Sequence, residues 1–323
     1  MWIAKPHQTE PKILEWARRF PDIVSLTYVR TYTGMRTYAI TVTDKRKDDS
    51  HKLRHLFSQP HAHEPATTAG MMNFLSQIIE GVDLDGRRTD LDRETLLGRT
   101  ILTFIPDGNP DGRSRAPVDW WDGSSYSNEE FLKIAFGRCK GGGRCSRVGR
   151  WSLDERQPNF IGIVYEQISD KEFVEPNRDL ESSFSKLVMK TVEKIGCHQY
   201  LALHQTEFER SKHNAMIILP FNFNELPEDI RGYSGRWAGT IIESWRSIGA
   251  NPIPDPKPLG YGEDQIRYFR RCWGELYHRL PCLTVEVQNN NVRTSPHMQM
   301  RLIEVAIRAS IQFLLSSSSI GPV

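Results

Sequence analysis

The chain predicts a single α/β domain, a three-layer α/β/α sandwich around a mixed, mostly parallel sheet, spanning residues 1–323. Three observations carry that reading. Runs rich in β-branched and apolar residues alternate with runs of helical periodicity along most of the chain. Two runs, RTILTFIP (99–106) and CLTVEV (282–287), are continuously apolar and of strand length, as in strands buried on both faces. No internal repeat, heptad pattern or linker divides the sequence.

Taken in order, PKILEWARR (11–19) places apolar residues at helical spacing after a proline and reads as a helix. IVSLTYVR and RTYAITVT are β-branched and aromatic, and TGM between them suggests a hairpin. LRHLFS is a short strand leading into the turn HAHE at 61–64, and Pro65 suits the first position of the helix that follows. That helix should end near Gly81. The strand RTILTFIP empties into DGNPDGRSR, dense in turn residues. Residues 113–173 look like a long irregular insertion running over the surface. Order returns with the helix ESSFSKLVMKTVEKIG, the strands HQYLALH and NAMIILP, and a helix that stops at Gly249. A rigid Pro- and Gly-rich loop, the strand CLTVEV and a closing helix, MQMRLIEVAIRASIQFLL, complete the pattern.

Composition narrows the function classes. With 38% hydrophobic and 25% charged residues the chain can build a real core. Its 42 basic and 40 acidic residues leave a net charge of +2, no footprint for nucleic acid or for an anionic membrane. No run reaches the roughly 18 apolar residues of a spanning helix. The N-terminal residues lack the apolar stretch of a secretory signal, so reduced thiols in the cytoplasm are expected for the five cysteines. Cys139 and Cys145, flanking KGGGR, match no zinc-knuckle spacing and are expected to be unpaired.

The stretch HAHEPATTAG is where chemistry enters. His61 and Glu64 stand three apart on a turn into a helix, a spacing that lets an imidazole and a carboxylate converge on one metal ion. Zinc accepts such N and O donors, and a catalytic zinc takes three protein ligands plus water. The same two residues would also suit a solvated helix end. His204 closes the apolar strand YLALH, and ligands in α/β sheets gather beyond the carboxyl ends of strands. It is a candidate third ligand, or simply a polar strand end. Glu286 lies inside CLTVEV, where a carboxylate is costly unless paired or facing a polar cavity. A carboxylate of that kind beside a metal-bound water is what general-base catalysis needs, although a structural ion pair would equally explain it.

The order His61-x-x-Glu64, NPDG at 109–112, Asn177-Arg178, His204 and Glu286 resembles the zinc carboxypeptidase (metallocarboxypeptidase) family. The segment LTYVRTYTGMRTYAITVT and the closing helix resemble it too, so the likeness spans roughly residues 11–316. The resemblance implies a carboxypeptidase-like fold and a Zn2+ ion held by His61, Glu64 and His204, with Glu286 as general base. It implies that Asn177 and Arg178 hold the free C-terminal carboxylate of a peptide or peptide-like amide. A planar guanidinium suits that task through two parallel hydrogen bonds.

It also implies a second arginine that polarises the scissile carbonyl. Arg113, Arg115, Arg138, Arg144, Arg147 and Arg150 all compete, and Arg115 is chosen as nearest the sheet after the NPDG turn. For the tyrosine that caps the substrate, Tyr261 in LGYGED is chosen over Tyr268 and Tyr277. His63 is expected to back the ligands or to face solvent, because residues two apart on a turn do not share a face. The activity expected is zinc-dependent removal of a C-terminal residue. A zinc deacylase or amidase acting on N-acyl amino acids is the second possibility, and a non-catalytic binding protein on the same fold a remote third.

Overall fold

The structure is a computed structural model that describes residues 1–317. The seven strand-like runs form one sheet. Its strands are β1 (Val24–Arg30), β2 (Arg36–Val42), β3 (Leu53–Ser58), β4 (Thr100–Ile105), β5 (Gln199–Thr206), β6 (Ala215–Ile218) and β7 (Cys282–Gln288). They lie side by side in the order β1-β2-β4-β3-β5-β7-β6. The sheet is mixed but not mostly parallel: three parallel pairings join the four central strands, β4, β3, β5 and β7, and three antiparallel pairings add the strands outside them. Parallel strands are thus concentrated where the sheet is covered on both faces, as their slanted ladders favour.

Successive side chains along a strand alternate between the faces, and two apolar layers follow from that period. On one face Phe57, Leu201, Leu203, Leu283 and Val285 meet the helices α1 (Pro6–Arg19), α2 (Pro65–Glu80), α4 (Glu228–Ser247) and α6 (Pro296–Ser316). On the other, Leu56, Tyr200 and Cys282 meet α3 (Ser183–Ile195) and α5 (Glu263–Arg279). This is the three-layer sandwich that the alternation of elements implies. Helix α2 is buried from Pro65 to Ile79. A Cβ at Gly70 would lie 2.7 Å from the Ile303 side chain, so the glycine is what lets α2 and α6 approach.

Two elements differ from expectation. Helix α1 starts at Pro6 rather than Pro11, because Pro6 takes the first helical position and the Gln8 side chain accepts the Lys5 N–H at 3.1 Å. Helix α5 is not evident from mean hydropathy because charged residues are spread along it from Glu263 to Arg279. Its apolar stripe, Phe269, Cys272, Trp273 and Leu276, nonetheless has the spacing of one helix face.

The 113–173 segment is folded rather than irregular. It contains the helix Asn128–Phe136 and two small antiparallel sheets. Phe136, Trp151, Tyr165 and Phe173 form their own buried cluster. The segment is pinned at its start by the NPDG turn. Asn109 accepts the Gly112 N–H at 2.9 Å and donates to the Val164 carbonyl at 2.9 Å.

Cys139 and Cys145 are joined in a disulfide, contrary to the expectation of unpaired thiols. The intervening glycines explain the difference. Gly141 and Gly142 adopt φ of +92° and +91°, which doubles the chain back so that the Cys139 N–H reaches the Gly143 carbonyl at 2.8 Å. The cysteine Cα atoms then stand 5.6 Å apart, inside the span a disulfide requires. Cys197, Cys272 and Cys282 are free and buried.

Gly112 tests how tightly the insertion is docked. A Cβ there would fall 1.9 Å from the Ile163 carbonyl oxygen and 2.8 Å from the Ala62 Cβ. Gly112→Ala should lower stability by about 2–3 kcal/mol, measured by denaturant unfolding, because neither neighbour can retreat without moving backbone. A parental unfolding midpoint would show that the NPDG turn does not clamp the segment.

Candidate active site

Three adjacent parallel strands, β3, β5 and β7, end on the same side of the sheet, and the polar residues of the sequence converge there. Beyond β3 the chain turns through His61 and enters α2, with Glu64 at the N-cap and Pro65 locking the first helical residue. The turn is held by the Glu64 N–H donating to the His61 carbonyl at 3.1 Å. In β5 and β7, His204 and Glu286 are direct register partners. Both share the strand parity of Tyr200 and Cys282, so both project from the face that carries α3 and α5. A one-residue slip would bury both on the opposite face.

These placements bring His61, Glu64 and His204 together, with donor atoms all within 4.8 Å of one another. His61 Nδ1 is 2.7 Å from Glu64 Oε1 and 3.1 Å from His204 Nδ1, and His204 Nδ1 is 3.1 Å from Glu64 Oε2. His61 Nε2 is committed to Glu175 Oε1 in a buried hydrogen bond. Donation from Nε2 leaves the Nδ1 lone pair facing the other donors. Two imidazole nitrogens and a carboxylate crowded this closely repel one another unless a cation or a proton lies among them. The donor set, N, N and O with a carboxylate behind one histidine, fits zinc with an open fourth position. Carboxylate backing of this kind fixes the tautomer and orientation of the imidazole and raises its basicity.

Glu286 reaches the same cavity, a space of about 290 Å³ that His61, Glu64 and His204 also line. Among the described residues its Oε2 has no hydrogen-bond partner. Burial pushes the Glu286 carboxyl well above the ordinary carboxylate range, and the charges of Glu64 and Glu207 add to that, while Arg147 and Arg178 oppose it. A divalent cation beside it would oppose it further.

Glu175 was missed by sequence reading, and its signal was an acid two residues before Asn177 at the close of the insertion. It is fully enclosed. Burial alone would raise its carboxyl, but Arg178, His61 and Arg147 together hold it down at about 2. Its oxygens lie 3.6 Å from Arg178 Nε and 3.7 Å from Arg147 Nη2. Arg178 itself is buried, and its guanidinium stacks 5.3 Å from the Phe269 ring. Among the described residues, Arg178 Nε and Nη1 have no acceptor at hydrogen-bond distance. Burial and the neighbouring Arg147 bring its pKa down only to about 10, so the charge persists at neutral pH. Asn177 lines the cavity beside it, its carbonyl accepting the Trp273 indole N–H at 2.8 Å.

The structure brings seven of the eight residues chosen from sequence into one place: His61, Glu64, Asn177, Arg178, His204, Tyr261 and Glu286. Arg115 is the exception. Its guanidinium is consumed by the carbonyls of Asp111, Ile161 and Tyr165, at 3.1–3.3 Å, fastening the NPDG helix to the insertion. Proximity in sequence to the sheet end is therefore the wrong criterion. Arg144 and Arg147 line the cavity instead, because the insertion folds back over it.

Tyr261 lies against Phe269 with ring centroids 4.8 Å apart, and burial pushes its phenol up to about 12, so it stays protonated. Tyr277 lines the cavity as well, whereas Tyr268 packs at Gly149. His63 does not face solvent. It packs against Phe131 and Phe136, and burial pushes its imidazole down to about 3, leaving it neutral. Trp121 is core, and Trp120 is half exposed. Arg270 is a surface residue paired with Glu225. No helix among the described residues is long and apolar enough to cross a membrane.

No curated protein matches the chain in sequence. Among solved structures, a metallo-carboxypeptidase from Burkholderia cenocepacia superposes with a TM-score of 0.58 at 15% identity, covering 95% of this chain and 68% of that one. The carboxypeptidase A of Helicoverpa armigera gives 0.57 at 14% identity, covering 96% and 74%. A metallo-carboxypeptidase from Pseudomonas aeruginosa, in complex with (2-guanidinoethylmercapto)succinic acid, gives 0.55 at 18% identity, covering 95% and 68%. At such identities these likenesses speak for the fold. The zinc carboxypeptidase family profile, however, matches residues 12–188, more than half of the sequence. By that match the chain belongs to the zinc carboxypeptidase family.

Proposed function

We propose that the protein is a zinc-dependent carboxypeptidase that hydrolyses the last peptide bond of a substrate with a free C-terminal carboxylate. The observation that carries this reading is Arg178, a buried guanidinium with two unsatisfied nitrogens in the cavity that holds the His61–Glu64–His204 triad and Glu286. Unpaired buried donors are costly and rare, so these two await an acceptor. A substrate carboxylate entering the cavity would supply that acceptor.

A zinc ion held by His61, Glu64 and His204 would supply Lewis acidity and an acidified water. The chain's own residues do the rest. Arg178 and Asn177 hold the substrate carboxylate, and this sets the scissile bond at a fixed distance from the triad. Glu286 Oε2 takes a proton from the attacking water and returns it to the departing amine. Arg147 faces the developing negative charge on the carbonyl oxygen. The protonated Tyr261 phenol donates to the bound substrate. Glu175 orients His61 and sets the positions of Arg147 and Arg178 against it.

Three outcomes test the reading. Metal analysis of the purified protein should find one zinc per chain, and His204→Ala should lower both occupancy and affinity. Full occupancy in that variant would remove His204 from the site.

Glu286→Gln should retain zinc and fold and lose about 10²–10⁴ in kcat, since one residue both accepts and returns the proton. A near-parental rate would place the base elsewhere.

Amidating the C-terminus of a peptide substrate should cut kcat/KM by about tenfold to a hundredfold, the value of a buried charge-assisted pair. Arg178→Ala should lose a similar factor on the free acid and little more on the amide, because both changes remove one interaction. Equal cleavage of acid and amide by the parent would make the protein a zinc amidase or endopeptidase. A preference for N-acyl amino acids over longer peptides would make it a deacylase using the same clamp.

A further inference from the structure

Arg144 and Arg147 reach the cavity from a segment with very little regular structure. Between the helix that ends at Phe136 and the strand that begins at Trp151, the described regular structure is limited to the two-residue strand Arg138–Cys139. Among the described residues the Arg147 side chain has one ionic contact, at 3.7 Å to Glu175, and its Nε lacks a hydrogen-bond partner. Arg144 has no salt bridge among the described residues. A long side chain forfeits rotamer entropy each time it adopts one pose, and the Glu175 contact fixes only one end of the guanidinium while leaving the backbone that carries Arg147 unfixed.

Two other features restrain the pair. The Cys139–Cys145 disulfide closes the KGGGR loop, with Arg144 inside it and Arg147 two residues beyond. The loop is anchored below by the Tyr165 hydroxyl, which donates to the Cys145 carbonyl at 2.6 Å. The Phe136 ring lies under both guanidiniums, 5.4 Å from Arg144 and 4.5 Å from Arg147. Phe136 is itself fixed, packed edge-on against His63 at 5.2 Å, beside the ligand Glu64. Phe136, Cys139 and Cys145 belong to one buried cluster, so ring and disulfide form a continuous support.

We propose that the Cys139–Cys145 disulfide and the Phe136 ring are positioning elements that hold the Arg147 guanidinium, with Arg144 beside it, at the reacting end of the cavity. This rests on the carboxypeptidase reading above. Opening the disulfide frees the loop, so that Arg147 no longer waits where carbonyl charge develops. The loss therefore falls on kcat, with KM nearly unchanged, as for an interaction made mainly in the transition state.

The experiment opens the disulfide in two ways, by TCEP treatment of the zinc-loaded parent and by the Cys139→Ala/Cys145→Ala double substitution. Thiol titration verifies the opening and metal analysis verifies that zinc is retained. Each state is assayed on one C-terminal peptide substrate in the parent and in an Arg147→Gln background. The expected result is a loss of about tenfold in kcat in the parent, in line with the cost of a small misplacement, and less than about twofold in Arg147→Gln. Phe136→Leu should behave similarly and Phe136→Tyr should restore most of the rate, since a tyrosine ring still attracts a cation. Should the double alanine variant fail to fold, the TCEP and Phe136 arms decide. Parental kcat with the disulfide open, or equal losses in both backgrounds, overturns the proposal. In the second case the disulfide merely stabilises the fold. An inactive parent overturns the carboxypeptidase reading together with this one, whereas an active parent indifferent to opening overturns this one alone.

Discussion

The arrangement depends on one constraint: the carboxylate of Glu175, shut away from solvent, is shared by His61, Arg147 and Arg178. A buried anion with no partner would be untenable, and here three partners surround it. Each is thereby tied to the others. The imidazole turned toward Glu64 and His204, the guanidinium over Phe136 and the guanidinium over Phe269 are all measured from the same two oxygens. Removing that carboxylate would leave the buried Arg178 and the partly exposed Arg147 with little but each other, and like charges repel.

The sheet supplies the other half of the geometry. Because β5 and β7 run parallel in a fixed register, His204 and Glu286 emerge as neighbours at strand ends. Because β3 runs beside β5, the turn that follows it delivers His61 and Glu64 to the same place. The helices that cover the sheet hold those strand ends still. A binding site on loops alone would need further support to reach such convergence, whereas here His204 and Glu286 sit in strands and His61 and Glu64 on a short turn into a helix. The cavity's walls come from different parts of the molecule. Phe269 and Tyr261 belong to the apolar layer under α3 and α5, and Phe136 belongs to the cluster of the insertion. The insertion is thus a wall of the site, brought there by the NPDG turn.

Much of this was legible in the sequence. All seven strands of the sheet, both ends of the hairpin and the long helices other than α5 could be placed from periodicity, since a period of two or of 3.6 is a local property. His61 and Glu64 announced themselves by spacing, and Glu286 by being a carboxylate in an apolar run. These signals need no knowledge of distant residues.

Other features had no local signature. Arg115 and Arg147 look alike in sequence, and only the tertiary path of the 113–173 segment decides that one is spent on carbonyls while the other faces the cavity. The Cys139–Cys145 pairing depended on a backbone reversal through glycines whose φ values the sequence permits but does not dictate. Glu175 is an ordinary acid until His61, 114 positions earlier, is folded against it. The sequence alone determined which residues could do chemistry and on which elements they lie, because composition and periodicity are local. Tertiary structure alone decided which of them meet, because burial and charge pairing are properties of surfaces that exist only after the chain has folded.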